Sequence, residues 1–246
     1  MNMNKNEKKV LGVIGGLGPV ATANFIELAA TMTDAATDQE HMEMIVYNSP
    51  SIPDRTGYIL DNTKPCPLEQ MARIGNKLAE LGADHIAIPC MTAHYFYEQL
   101  SDRIPVPIIH ALEETVKHLQ ENGISRVGIM ATDGTIASRI FHRVLESRGM
   151  EPITPGTEGQ KDVMHLIYGN IKANLPPEMD RFYRVRDELM SSGAQAIILG
   201  CTELALIKRD YPIGPGFINA LEVLAQQAVI RCGLKLKDEY TCLITK

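Results

Sequence analysis

The 246-residue chain has no tryptophan, and only 5% of its residues are aromatic. It has no basic block and no interleaving of basic with aromatic residues, and its net charge is −6, which argues against nucleic acid as a partner. It has no apolar run long enough to span a membrane. The stretch Val10–Ile14, after the polar run Met1–Lys9, is too short even for the apolar region of a signal peptide. Cysteine is scarce: Cys66, Cys90, Cys201, Cys232 and Cys242 are odd in number, widely spaced and form no C-x-x-C. Neither a disulfide framework nor a zinc site fits that spacing. The expectation is a cytoplasmic chain in a reducing compartment, with no metal, nucleic acid or membrane as partner.

What the chain does contain is one pattern written twice. Residues 81–94 and 192–204 each read as a helix ending at Gly-Ala, a short apolar strand, and a cysteine where the strand gives way to a new helix. The strands His85–Pro89 and Ala196–Leu199 do not alternate in polarity, as expected of strands covered on both faces. A cysteine at the carboxyl end of such a strand lies where open α/β sheets bind ligands. The helix N-terminus that follows favours an anion there and lowers a thiol's pKa. The opening Lys9–Pro19 is echoed at Arg126–Thr135, again a strand, a turn of small residues and a helix, so each half repeats the same plan.

Further strands are expected at Val10–Ile14, Met44–Tyr47, Pro105–Ile109 and Phe217–Ile218. Helices are expected at 19–33, 67–81, 94–100, 111–120, 160–173, 178–191 and 220–231. Residues 52–58 read as a polar, turn-rich loop that places Arg55 at the carboxyl edge of the sheet. An arginine there suits bidentate binding of a carboxylate. Gly16-Leu17-Gly18-Pro19-Val20-Ala21 matches G-x-G-x-x-A in form, but the next strand ends in Asn48-Ser49-Pro50 and not in the acidic residue a dinucleotide ribose needs. The glycines read better as a tight turn whose N–H groups approach a small anion.

Two thiols facing one small site suit removal of a proton from one face of a carbon and delivery to the other, which is racemisation or epimerisation. One cysteine is then thiolate and the other thiol, with roles exchanged by direction. Glu203 opposes a thiolate at Cys201 by like charge while the helix end favours it, and sequence alone does not decide between them. His94 stands four residues after Cys90 with no counterpart after Cys201, so a structural or supporting place behind the site is as open to it as a direct role.

At these residues the chain resembles the aspartate/glutamate racemases that work without pyridoxal phosphate, most closely the aspartate branch. The resemblance runs through residues 15–22, 52–56, 89–94, 160–172 and 200–203. It implies two similar doubly wound parallel-sheet α/β domains related by pseudo-twofold symmetry, with the active site in the cleft. The first domain would comprise 1–112 with 214–246 returning to it, and the second 113–213. It also implies a homodimer, no cofactor, and a small acidic amino acid as substrate. Carried over by position, Cys90 and Cys201 are the two acid/base catalysts, and Arg55 and Lys172 hold the side-chain carboxylate. Thr92, Thr135 and Thr202 line the α-carboxylate and amino region, with Met91 among the substrate contacts and His94 and Glu203 behind them. The family usually has Asn where Met91 stands and Asp where Asn219 stands. Two alternatives stay in view: another superfamily reaction, maleate isomerisation or hydantoin racemisation, and, because of Met91, a binding protein with the same cleft and no turnover.

Overall fold

Leu11–Gly15 is buried along its whole length, and this five-residue strand (β1) is the centre of the first half. The structure, a computed structural model, describes residues 8–246, so the polar run read at Met1–Lys9 lies outside it as far as residue 7. After β1 the chain turns through Gly16 and Gly18 into helix α1 (Pro19–Met32), with Pro19 in its first turn as the sequence predicts. Gly16 has φ +92°, and a Cβ there would stand 2.4 Å from the carbonyl carbon of Ser49. Only glycine lets this turn close onto the end of the next strand.

The first half continues with β2 (Met44–Asn48), α2 (Arg55–Leu60), α3 (Leu68–Glu80), β3 (His85–Ala87), α4 (Tyr97–Ser101) and α5 (Ala111–Glu121). Leu68, Met71, Ile74 and Leu78 of α3 recur at helical spacing and face the core. The second half contains β4 (Arg126–Met130), α6 (Asp133–Ala137), α7 (Ile140–Ser147), β5 (Glu151–Ile153), α8 (Thr157–Met164), α9 (Met179–Ser191), β6 (Ala196–Leu199), α10 (Thr202–Asp210) and β7 (Phe217–Asn219). All strand pairs within the two sheets are parallel. The first sheet has the order β2-β1-β3 and the second β5-β4-β6-β7, so the same crossover plan occurs twice. In each half the central strand and its neighbour carry the cysteine segment to the same carboxyl edge.

Helix α11 (Ala220–Arg231) crosses back to pack on α1 and α5. Its buried face joins Leu11, Val13 and Phe25 of the first half to Val127, Ile129 and Phe141 of the second in a single apolar core. The tail then ties down both halves. Leu236 bridges to Thr33, and Ile244 lies antiparallel to Ile218 at the edge of β7.

Several local expectations give way to tertiary contacts. Residues 52–58 are not all loop, because Asp54 caps α2 by accepting the Gly57 N–H, so Arg55 is helical. Pro105–Ile109 does not form a strand; it contributes one parallel bridge, Ile108 to Ile86. The helix expected from His94 is 3₁₀ from Met91 to Phe96 and α-helical only at α4. The helix expected over 160–173 begins at Thr157 and loosens into a π-helical stretch at His165–Ile171. Strand β7, which follows residue 214, hydrogen-bonds to β6, and residues 112 and 113 both lie inside α5.

Candidate active site

Cys90 and Cys201 follow β3 and β6 and are each 6% exposed. They line the same cavity, together with Arg55 and Met91 of the first half and Lys172, Thr202 and Glu203 of the second. The walls close on a free volume of about 10 Å³, which is at most room for one water.

Arg55 opens α2 and is buried against Cys90. Its two terminal nitrogens donate to the Pro53 and Leu17 carbonyls, each at 3.1 Å. Its Nε is buried and has no partner. Burial works against its charge, but the neighbouring Cys90 and Asp54 raise its pKa overall.

Lys172 follows the π-helical stretch, a winding that often marks functional segments. There the Lys172 N–H returns to the Ile167 carbonyl at 2.9 Å, and Tyr168, four residues before Lys172, also lines the cavity. The Lys172 Nζ lies 2.7 Å from Glu203 Oε1. Burial opposes that ammonium, yet Glu203 and Cys201 push its pKa up.

Cys201 is the residue just before α10, in extended conformation. Its thiol donates to Glu203 Oε2 at 2.8 Å, and the Thr202 hydroxyl donates to the same oxygen at 3.2 Å. Burial and then the Glu203 charge raise the Cys201 pKa well above the ordinary thiol value, against the pull of Lys172. The lowered thiol expected from the helix end is therefore not found at Cys201, because burial and an adjacent carboxylate outweigh the helix terminus. Burial also pushes on Glu203, but Lys172 and the Cys201 and Lys172 hydrogen bonds keep its pKa low.

On the other wall, four threonine hydroxyls form a network. Thr92 lies 3.1 Å from Thr132 and 3.0 Å from Thr135, Thr132 lies 3.1 Å from Thr135, and Thr56 donates to Thr132 at 3.2 Å. Thr56, Thr92 and Thr132 face the cavity, while Thr135 supports them from behind. Their meeting depends on Gly134, where a Cβ would stand 2.8 Å from Thr56 Cα and force α6 away from α2.

Of the residues expected at the site, the cavity brings together Cys90, Cys201, Arg55, Met91, Thr92, Lys172 and Thr202, with Thr135 one layer back. Glu203 is in the cavity itself and not behind it. His94 lies outside the cavity: the Ala111 N–H donates to its Nε2 at 3.2 Å, so its Nδ1–H donates to the Cys90 carbonyl at 3.1 Å. Asn219 is also away from the site and caps α11 by accepting the Leu221 N–H. The anion-facing turn is partly used up internally, since the Gly16 N–H donates to Thr22. Thr56, Thr132, Tyr168 and Asp54 were missed. Thr56 and Asp54 flank Arg55 in sequence, and Thr132 mirrors the first turn's position in the internal repeat, so those signals were available.

Comparison with known proteins follows the same lines. A family profile described as Asp/Glu/Hydantoin racemase matches residues 14–228. A broad-specificity amino-acid racemase, RacX, of Bacillus subtilis (strain 168) is 30% identical over 228 residues, covering 89% of this chain and 96% of that protein. The structure of Picrophilus torridus aspartate racemase superposes with a TM-score of 0.81 at 28% identity, covering 96% of this chain and 99% of the other. A glutamate racemase of Francisella tularensis subsp. tularensis SCHU S4, in complex with D-glutamate, shares the fold with a TM-score of 0.64 at 16% identity, over 92% of this chain and 81% of the other.

Proposed function

The chain belongs to the Asp/Glu/hydantoin racemase family and is an amino-acid racemase, and on that premise we propose that it inverts aspartate, or a close acidic amino acid, by two-base proton transfer between Cys90 and Cys201. The observation that carries this reading is the pair of buried thiols on one cavity, with Arg55 beside the first and Lys172 beside the second. In that reading a thiolate removes the α-proton from one face, and the opposite thiol returns a proton to the other. The charge that develops on the carboxylate side falls to the Thr92 and Thr132 hydroxyls, already held by their neighbours and so requiring no reorganisation. Arg55 and Lys172 take the distal carboxylate, Lys172 exchanging Glu203 for the substrate as the cleft opens.

A broader substrate range is the second reading. It is favoured by the Lys172–Glu203 pair, which leaves less free positive charge for a second carboxylate, and by apolar Met91 at the cavity. Incubating the purified protein with single enantiomers of acidic, neutral and basic amino acids, and following inversion by chiral chromatography, separates the two. Inversion confined to acids supports the first reading, equal inversion of neutral or basic amino acids supports the second, and no inversion of any sinks both. We also propose a homodimer in a reducing compartment, the latter because all five cysteines are unpaired.

A further inference from the structure

A two-base site needs one thiolate and one thiol, and the two sulfurs have opposite neighbours. Cys201 donates to a carboxylate at 2.8 Å, and that carboxylate belongs to a side chain only 6% exposed. Cys90 instead has the Arg55 guanidinium beside it. The cation nearest Cys201, Lys172, is engaged by Glu203 at 2.7 Å. Tyr168 also faces Cys201, and Arg55, Asp54 and Cys90 stand across the cavity.

Building on the two-base reading, we propose that Glu203 is a positioning residue for the Cys201 proton: it keeps Cys201 the acid of the resting site and leaves Cys90 as the base. Ionising Cys201 would set a thiolate against a buried carboxylate, which is a costly like-charge contact. The raised pKa of Cys201 agrees with that arrangement. The enantiomer whose α-hydrogen faces Cys90 thus meets a ready base. Its C–H bond breaks to Cys90, while the Cys201 S–H bond breaks to the opposite face of the same carbon. Cys90 then holds a proton and Cys201 is thiolate. Return to rest releases one proton from Cys90 to solvent and takes one from solvent onto Cys201.

Alkylation by iodoacetamide without substrate tests this, with the two cysteine peptides read separately by mass spectrometry from about pH 6 to about pH 10, around the ordinary thiol value near 8.5. The pH midpoint, unlike the absolute rate, does not depend on how often the closed cleft opens. In the wild type, the Cys201 midpoint is expected to lie above the ordinary thiol value. Glu203→Gln should lower the Cys201 midpoint and speed its labelling at neutral pH about tenfold or more. Lys172→Met should move Cys201 the other way, whereas a merely structural loosening would speed labelling in both variants. An unchanged Cys201 midpoint in Glu203→Gln overturns the proposal, and so does a lowered midpoint in Lys172→Met, the variant that decides if Glu203→Gln does not fold. Because labelling needs no turnover, a missing racemase activity leaves this test intact.

Discussion

Thr56 of the first half donates a 3.2 Å hydrogen bond to Thr132 of the second, across the wall of the cleft. Thr132 also contacts Thr92 and Thr135 and caps α6 by accepting the Thr135 N–H. Thr132→Val keeps the shape and removes every one of these contacts. The expected loss is about 1–3 kcal/mol of stability, from the unsatisfied neighbours and the lost cap. Racemisation should fall as well, and a denaturant titration beside kcat/KM for both enantiomers checks the two effects.

Cys90→Ala and Cys201→Ala are each expected to abolish racemisation with the fold intact, because neither sulfur is needed for packing beyond its small volume. The Cys→Ser variants are more informative. In deuterated water each is expected to exchange the α-proton of one enantiomer only, since the remaining thiol serves its own face. Near wild-type racemisation by either alanine variant would rule out the two-base assignment.

Arg55→Lys should already impair an acidic substrate. The fork spans the Leu17 and Pro53 carbonyls and Cys90 together, and a single ammonium does not. Arg55→Ala should cost about 2–5 kcal/mol in substrate affinity, seen chiefly as a raised KM. Unchanged aspartate turnover in that variant would remove the acidic-substrate reading and move neutral substrates ahead.

Met91 is 1% exposed and joins the core shared by both halves, besides touching the cavity. Met91→Asn therefore brings two opposed effects. An amide facing the cavity offers a hydrogen bond to a charged substrate, worth about 1.5–3 kcal/mol in kcat/KM for aspartate. The same amide against the core costs about 1–3 kcal/mol of stability. Thermal melts and aspartate kinetics on the one variant separate the terms. A loss of stability with no gain in aspartate turnover would show that Met91 serves packing and not specificity.

His94 is buried, and its pKa is lowered to about 4, by burial first and by His110 second. A histidine that is neutral when folded and near 6.5 when unfolded supports the fold fully above about pH 6.5 and loses that support as pH falls toward 4. The slope is about 1.4 kcal/mol per pH unit for one such group. His94→Gln should lower stability at neutral pH and flatten this acid slope by close to one proton. Urea midpoints at several pH values between about 4 and 7 check it, and an unchanged slope would place the titration in the other buried histidines.

The duplicated strand–cysteine pattern, the alternation of strands with helices, and the spacing of apolar residues were enough to indicate the α/β class, the two halves, the two cysteines and Arg55, whereas Met91, Thr92, Thr135, Lys172 and Thr202 came from the resemblance to the racemase family. These features are local: period, turn chemistry and repeat are carried by neighbours along the chain. What folding alone decided are contacts between segments far apart in sequence. Glu203 could not be weighed from sequence because its effect depends on Lys172, brought to within 2.7 Å of it by a π-helical stretch that has no clear sequence signature. The threonine network needs α2 and α6 pressed together at Gly134. The upward shift of the Cys201 pKa has the same origin: a helix terminus is written in the sequence, but the burial and the buried carboxylate that outweigh it exist only once the two halves close.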